Sequence, residues 1–240
     1  MTTTTNDTSR RIRIRRVPKN GRYDQQSIYR VLDRGRVAHV SFVSDDQPYC
    51  IPTLYARVGN QVLIHGSAAS RMTRLLASGA PACLTVTMLD GLVLARSAFE
   101  HSANYDSVVL LGRFHAISAP EEKRAALEQF MEAFLPGRWS EVRPPTRQEL
   151  KGTAVLAMPI DEASAKTRGR PPDDDSSPDA ELDTWAGVIS IHTSFGTPEP
   201  SPGLRPGISL APSVKELVRR GVARRDQAAA ADEVSHPERS

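Results

Sequence analysis

The sequence predicts a mainly β protein with flanking helices, arranged as a small barrel of six or seven antiparallel strands. Three observations predict this class. Short apolar runs recur between turns rich in Gly, Asp and Asn. Helical periodicity is confined to a few segments, and the connections are short enough to join antiparallel neighbours. A chain of 240 residues is long enough for one such domain with tails.

The first half of the predicted sheet is defined by its turns. A short helix over residues 24–34 leads through Gly35 into a strand over 38–44. Two further strands are predicted, over 48–57 and 61–65, each preceded by a turn that contains Asp or Gly. We expect these three strands to be consecutive and antiparallel.

The remaining elements follow from the same signals. They are helices over 70–78 and 121–134 and strands over 82–89, 92–97, 108–117 and 154–160. Asp90 and Gly91 form a pair suited to a type I′ turn, which predicts a hairpin between the strands on either side. Pro120 is suited to the first position of the second helix in this group.

Composition predicts one domain with a tail at each end. Residues 1–19 are polar and basic and are predicted to be a disordered tail, whereas residues 20–195 form the barrel domain. Within that domain, the charged and proline-rich segment 166–181 is predicted to be a mobile loop. Residues 196–240 are predicted to be a second tail rich in Pro and Gly, in which 213–223 has the pattern of one short amphipathic helix.

Charge, hydropathy and cysteine usage narrow the functional classes. The net charge is +3, and the densest basic block, residues 10–16, lies in the N-terminal tail. We interpret this block as a solvated tail or an edge strand, and we expect no nucleic-acid partner. There is no apolar run of membrane-spanning length and no secretory pattern, so we expect no membrane association. Cys50 and Cys83 fall in apolar strand patterns without metal-site spacing, which favours a reduced, cytoplasmic setting and predicts no metal.

The turn between the third strand and the next helix has the features of a phosphate site. The strand runs into His65, Gly66 and Ser67, and apolar residues at helical spacing follow from Met72, which places residues 67–71 in the N-terminal turn of a helix. First-turn N–H groups attract an anion, Gly66 allows close backbone approach, and Ser67, Ser70 and Arg71 supply side-chain donors. We therefore predict that these residues bind a phosphate group. Ser67 and Ser70 are equally suited to capping the helix, and the two roles are compatible.

The same stretch resembles a known family. The order of the segments HGS, SRM, LTVTMLDGLVLARSAF and HSANYDSVVLLGR is similar to that in the pyridoxamine 5'-phosphate oxidase-like, FMN-binding split-barrel proteins, in particular the branch of the nitroimidazole-resistance proteins. The resemblance covers roughly residues 20 to 191. It implies a split β-barrel that binds FMN at the interface of a homodimer.

The resemblance also assigns roles to individual residues. The cofactor-binding set that it implies comprises Ser67, Ser70 and Arg71 at the phosphate with His65 and Gly66 beside them, Pro52, Thr53 and Leu54 at the edge of the flavin ring, Asn104 and Tyr105 near the rim, and Trp185. We expect His65 either to donate to the phosphate or the ribityl chain or to be a structural histidine. We expect Trp185 either to anchor the core or to cover the flavin of a neighbouring subunit.

Three departures from the family pattern limit what the resemblance implies. Met72 stands where related oxidases have a lysine, and Asp106 stands where the closer branch has a basic residue. The segment that begins at Trp185 lacks the Arg and His that grip the substrate phosphate in true pyridoxamine phosphate oxidases. Vitamin substrate identity is therefore not implied.

The functional prediction is an FMN-dependent oxidoreductase that acts on a small organic molecule, with the chemistry carried by the cofactor. His101 is the best-placed group for proton transfer, and the catalytic residues are otherwise unassigned. Two alternatives remain open. One is a non-catalytic flavin-binding or haem-binding protein, such as a sensor, and the other is a deazaflavin-dependent reductase on the same barrel.

Overall fold

The computed structural model describes residues 10–221. The strands in this part of the chain are β1 (Gly21–Arg22), β2 (Val37–Ser44), β3 (Gln47–Leu54), β4 (Ala56–Val58), β5 (Gln61–Ser67), β6 (Pro81–Leu94), β7 (Ser102–Arg113), β8 (His115–Ala116), β9 (Thr153–Pro159), β10 (Glu162–Arg168) and β11 (Gly187–Ser190). The α-helices are α1 (Gln25–Arg34), α2 (Arg71–Ala77), α3 (Pro120–Phe134) and α4 (Arg147–Gly152), and residues 212–221 are also helical. Short 3-10 turns lie at Pro18–Asn20, Trp139–Glu141 and Pro178–Glu181.

The strands form two antiparallel sheets. The seven-stranded sheet has the order β1-β10-β7-β6-β2-β3, with β11 also paired to β6, and the four-stranded sheet has the order β4-β5-β9-β8. The chain passes between the sheets at short links. Tyr55 separates β3 from β4, and Phe114 separates β7 from β8. Both aromatic side chains are buried at these corners, and the predicted split barrel with flanking helices is confirmed.

The main core lies between the two sheets and is closed by α1 and α2. On α1 the buried residues Ile28, Val31 and Leu32 recur at helical spacing, as an amphipathic helix requires. Gly35 ends this helix where the chain approaches the core closely. A Cβ at this position would lie 2.4 Å from Cγ1 of Val86 and 2.5 Å from the hydroxyl of Tyr55, so only glycine fits without displacing its neighbours.

A second cluster lies between the smaller sheet and α3. Ala126 and Phe130 of α3 pack on Leu63 and Val155 of the neighbouring strands. Pro120 occupies the first turn of α3, as predicted. This arrangement places α3 across the face of β5 that carries Leu63 and His65, because alternate strand residues point to the same side.

The predicted hairpin at Asp90 and Gly91 is wrong. β6 is one continuous strand of 14 residues, and its pairing with β7 shifts between Leu89 and Gly91, which makes a bulge at Asp90. The bulge is held by long-range contacts, since Asp90 forms an ion pair with Arg34 and β11 runs beside Gly91. A Cβ on Gly91 would lie only 3.0 Å from the carbonyl oxygen of Ile189.

Two other predicted strands are divided by the corners. The strand predicted over 48–57 is β3 followed by β4, because the buried Tyr55 hydroxyl donates to the carbonyl oxygen of Leu32 at 2.5 Å and turns the chain into the smaller sheet. The strand predicted over 108–117 is β7 followed by β8. The burial of Tyr55 also raises the pKa of its hydroxyl group.

β10 and α4 were not predicted. The predicted loop 166–181 therefore starts too early, since its first three residues belong to β10. Asp174, in the same predicted loop, is completely buried and accepts hydrogen bonds from the backbone N–H of Arg96 at 2.6 Å and from its guanidinium at 3.2 Å.

Both predicted tails make contacts with the barrel where the structure describes them. In the N-terminal tail, Ile14 donates its N–H to the hydroxyl of Tyr23 at 2.7 Å, and Arg11 forms an ion pair with Glu162 of β10. In the C-terminal tail, the Ser213 N–H donates to Glu141 at 2.9 Å. The predicted helix is observed over 212–221, and its predicted end lies outside the described residues, as do residues 1–9 and 222–240.

Candidate cofactor site

The turn from β5 to α2 is held in place by its own side chains. Ser70 caps α2, as predicted, because its hydroxyl accepts the N–H of Thr73 at 3.2 Å. The Thr73 hydroxyl donates to the carbonyl oxygen of Ser67 at 2.6 Å, and the Ser67 hydroxyl accepts the N–H of Ala69 at 3.2 Å. Gly66 packs on Thr73, since a Cβ there would lie 3.2 Å from its methyl group. The turn is therefore rigid without a ligand.

Arg71 extends from this turn to β3. Its Nη1 donates to the hydroxyl of Tyr49 at 2.8 Å, and its Cζ lies 4.1 Å from the centre of the Tyr49 ring. Tyr49 in turn stacks on Phe42 of β2, with ring centres 5.6 Å apart. Arg71 is exposed next to the β5–α2 turn, so most of the N–H donors of its guanidinium group face solvent. Tyr49 lies in the same predicted strand as Pro52, Thr53 and Leu54, but nothing in the sequence signals its contact with Arg71.

β3 borders the same region as an edge strand of the larger sheet. Pro52 and Leu54 lie on its exposed face, whereas Thr53 is half-buried on the face that it shares with Tyr49. The edge of β3 that faces away from β2 leaves backbone groups available for pairing with another group. Of the three predicted ring-edge residues, Thr53 therefore lies on the side of Arg71.

The remaining predicted site residues lie together elsewhere. Asn104 is buried, and its amide oxygen accepts the Arg168 guanidinium at 2.6 Å and the Arg170 N–H at 3.1 Å. The exposed His101 ring bonds through Nδ1 to the carbonyl oxygen of Ser97 at 2.9 Å. Tyr105 is half-buried on β7 next to Asn104. Trp185 precedes β11 and is 62% exposed.

Arg71, through its contact with Tyr49, and Asn104 lie toward opposite ends of β6. Tyr49 is next to Cys50 on β3. Cys50 pairs with Ser41 of β2, which in turn pairs with Cys83 of β6, so these three residues form one row across the sheet. Asn104 pairs with Gly91, eight residues further along β6. At about 3.3 Å per residue the two rows are roughly 25 Å apart. One protomer therefore does not bring Arg71 together with Asn104, Tyr105 and Trp185.

Asp106 has a structural role that explains its departure from the family pattern. Its buried carboxylate accepts from the guanidinium groups of Arg30 at 2.8 Å and Arg34 at 3.0 Å, both on α1. Arg34 also pairs with Asp90, which raises the pKa of the guanidinium. The basic partners at this position thus come from α1, and Asp106 locks α1 onto β7.

His65 faces away from the phosphate turn into an apolar cavity of about 500 Å³. Its half-buried ring meets Phe130 edge-on, with ring centres 4.6 Å apart. Nδ1 is buried and has no hydrogen-bond partner, and burial lowers the pKa of the imidazole. The residues that line the cavity are His65, Leu127, Phe130, Met131, Phe134, Trp139, Val142, Arg143, Pro145 and Glu149. The sequence leaves His65 either as a donor to the phosphate or ribityl chain or as a structural histidine, and it gives no sign of this cavity.

Two further observations concern residues 10–221. None of the helices described there is both long and apolar enough to cross a membrane. Within the same range, no group of three or more His, Cys, Asp and Glu side chains is arranged to hold a metal ion.

Comparison with known proteins identifies one family that matches the chain and several solved structures that resemble it. A family model described as pyridoxamine 5'-phosphate oxidase matches residues 24–167. Comparison with the curated proteins finds no match.

Two solved structures resemble the chain in both sequence and fold. The flavocytochrome Anf3 from Azotobacter vinelandii is 38% identical with a TM-score of 0.83, over 88% of this chain and 97% of its own. The FAD and haem binding protein from Mycobacterium smegmatis is 40% identical with a TM-score of 0.79, over 82% of this chain and 97% of its own.

A third structure resembles the chain in fold alone. It is a nitroimidazole antibiotic resistance protein from Bacteroides thetaiotaomicron, described as putative, which is 19% identical with a TM-score of 0.52. The match covers 61% of this chain and 85% of its own.

Proposed function

Because the chain belongs to the pyridoxamine 5'-phosphate oxidase family, we propose that it is a flavin-binding oxidoreductase that also carries a haem. The observation that carries this proposal is the similarity to two proteins of 38% and 40% identity, one a flavocytochrome and the other an FAD and haem binding protein. Both matches extend over more than four fifths of the chain, so the whole barrel is shared.

Arg71 is the residue that we assign to the flavin phosphate. It is an exposed cation at a turn whose backbone is already fixed by Ser67, Ser70 and Thr73. Its single contact with Tyr49 leaves guanidinium N–H groups for a phosphate, which prefers such paired donors. Since α2 has only seven residues, its dipole adds little, and the charge of Arg71 supplies most of the attraction.

The separation of the two residue groups favours a homodimer. If one flavin contacts Arg71 as well as Tyr105 and Trp185, these last two must come from another subunit, because the row next to Tyr49, which Arg71 contacts, and the row of Asn104 are roughly 25 Å apart within one chain. The exposed apolar residues near β11 also favour an interface. They are Leu89, Leu92, Phe99, Trp185 and Ile189. A two-fold dimer would create two equivalent sites.

The family resemblance and one of the similar structures suggest different flavin nucleotides. The sequence predicted FMN, whereas the protein that is 40% identical is named for FAD. FAD is therefore a second candidate, and Arg71 suits either because both nucleotides carry a phosphate on the ribityl chain. A bound flavin can exchange either one or two electrons, whereas a haem exchanges one. A protein that holds both cofactors would therefore link a small molecule that gives or takes two electrons to single-electron steps.

Titration of the purified, flavin-depleted protein with FMN, FAD and riboflavin tests the flavin part of the proposal. We expect quenching of flavin fluorescence with FMN or FAD at concentrations at least about tenfold lower than with riboflavin. Equal affinity for riboflavin would remove the phosphate assignment. Mass measurement of the flavin released by heat from the protein as isolated then distinguishes FMN from FAD.

A further inference from the structure

The cavity beside His65 has the size and the lining expected of a haem site. We propose that His65 is an axial ligand of this haem and that the haem lies in the cavity between β5, α3 and the segment that leads to α4. This inference rests on the haem part of the proposed function.

The cavity fits a large, flat, apolar cofactor. Its volume of about 500 Å³ falls within the usual range for small-molecule sites, roughly 300–1,000 Å³. Its walls are apolar and aromatic, with Leu127, Phe130 and Phe134 from α3 and Trp139 and Val142 from the following segment. Such walls shield a porphyrin face from water.

His65 presents the chemistry that an iron requires. Imidazole is a standard haem ligand, and it binds metal in its neutral form. The fixed backbone of β5 and the edge-on contact with Phe130 orient the ring, and Nδ1 is buried without a hydrogen-bond partner. Because Nδ1 is closed off by the surrounding residues, Nε2 is the ring nitrogen that an iron in the cavity would meet.

Arg143 supplies a cation at the rim of the cavity. Its side chain is 68% exposed and donates to both carboxylate oxygens of Glu149, at 2.8 and 2.6 Å. The guanidinium beside Glu149 lowers the pKa of that carboxyl to about 2. A haem propionate is also a carboxylate, so where the cofactor edge would reach solvent it would compete with Glu149 for Arg143.

Another histidine provides a matched control. His115 lines a smaller cavity of about 350 Å³ on the opposite side of α3, which has no Phe or Trp in its lining and includes the polar side chains of Gln61, Glu122 and Gln129. His115 is itself exposed. It therefore shares the residue type and the neighbourhood of His65 but lacks the larger cavity with aromatic walls.

The experiment is a titration of the full-length protein with haemin, followed by the Soret absorbance, for the wild type, His65→Ala and His115→Ala. We expect the wild type and His115→Ala to bind haemin equally, and His65→Ala to bind at least about tenfold more weakly. Flavin affinity of each variant, measured in parallel, reports whether the barrel has folded. Imidazole added to His65→Ala should replace the missing side chain as an iron ligand and return the Soret band to its wild-type position.

A second variant keeps the test decisive if His65→Ala fails to fold. His65→Met keeps a side chain of similar size and exchanges nitrogen for a thioether, which should shift the Soret band and raise the haem midpoint potential.

The possible failures are distinguishable. If the wild type binds haemin and both His65 variants keep its affinity and spectrum, the inference is overturned and the proposed function stands. If the wild type binds flavin but no haemin, the inference fails together with the haem part of the proposed function.

Discussion

Arg71 at the start of α2 lies over the ring of Tyr49 on β3, with its Cζ 4.1 Å from the ring centre and its Nη1 2.8 Å from the hydroxyl oxygen. This contact joins the turn between β5 of the smaller sheet and α2 to β3, an edge strand of the larger sheet. It fixes the direction of the guanidinium before any ligand arrives, and preorganised donors lose less entropy on binding.

The first prediction is that Arg71→Ala weakens flavin nucleotide binding by about 1.5–3 kcal/mol, the range for a hydrogen bond to a charged group, or on the order of ten- to a hundredfold. Riboflavin affinity should stay nearly constant because riboflavin lacks the phosphate. Arg74→Ala is the matched control, since Arg74 is exposed on the same helix but lies one turn further from the β5–α2 turn. Equal losses in the two variants would show a general charge effect instead of a phosphate contact.

Dimerisation and flavin binding should be linked. A ligand that binds only the dimer draws monomers into it by mass action, so flavin should shift the monomer–dimer equilibrium toward the dimer. Trp185→Ala should weaken both dimerisation and flavin binding, because we assign Trp185 to the partner's site. Sedimentation of the flavin-free and flavin-loaded forms over a concentration series measures this. A chain that stays monomeric at flavin saturation would contradict the shared site.

Asp174 should be important for stability although it lies in a segment with the composition of a loop. Asp174→Ala leaves the backbone N–H of Arg96 without its acceptor, and we expect the free energy of unfolding to fall by about 1–3 kcal/mol. The neighbouring Asp175 also pairs with Arg96, but it is 68% exposed. Asp175→Ala should therefore cost less than about 1 kcal/mol. Urea unfolding of the two variants gives both values, and a reversed order would refute this account of the segment.

The buried His65 predicts a pH dependence of stability for the haem-free protein. Burial lowers its pKa below the ordinary value of 6.5, so at mildly acid pH the unfolded chain binds more protons than the folded one. The contribution of His65 to the free energy of unfolding should therefore be at its maximum above pH 6.5 and should decrease as the pH drops below that value. His65→Gln should flatten this part of the profile, whereas a variant of the exposed His115 should keep it. Denaturant unfolding between neutral and mildly acid pH measures both profiles, and a wild-type slope retained in His65→Gln would contradict the prediction.

Elements with strong local signals could be predicted from the sequence. The Ser70 cap and the helix after it follow from a hydroxyl residue placed before an apolar helical repeat, and Pro120 marks the start of α3 in the same way. The capping box of α4 was also present in the sequence, in Thr146 and Glu149, but a helix of six residues gives too short a periodic pattern to be recognised.

Elements determined by distant contacts could not be predicted. Asp90 and Gly91 have the residue types of a hairpin turn, and only the ion pair with Arg34 and the approach of β11 make them a bulge. β10 buries Ala163 and Ala165, which are too small to give a strand signal. The cavity at His65 is formed by α3 and the segment after it, which lie far along the chain, so the residues next to His65 give no sign of it.

The central claim is that this one chain holds a flavin and a haem, and the absorption spectrum of the purified protein tests it most directly. The account predicts flavin bands together with a Soret band after expression with adequate haem supply, with both cofactors present at one per chain on extraction. A colourless protein that gains neither band on incubation with FMN or FAD and haemin would contradict the account.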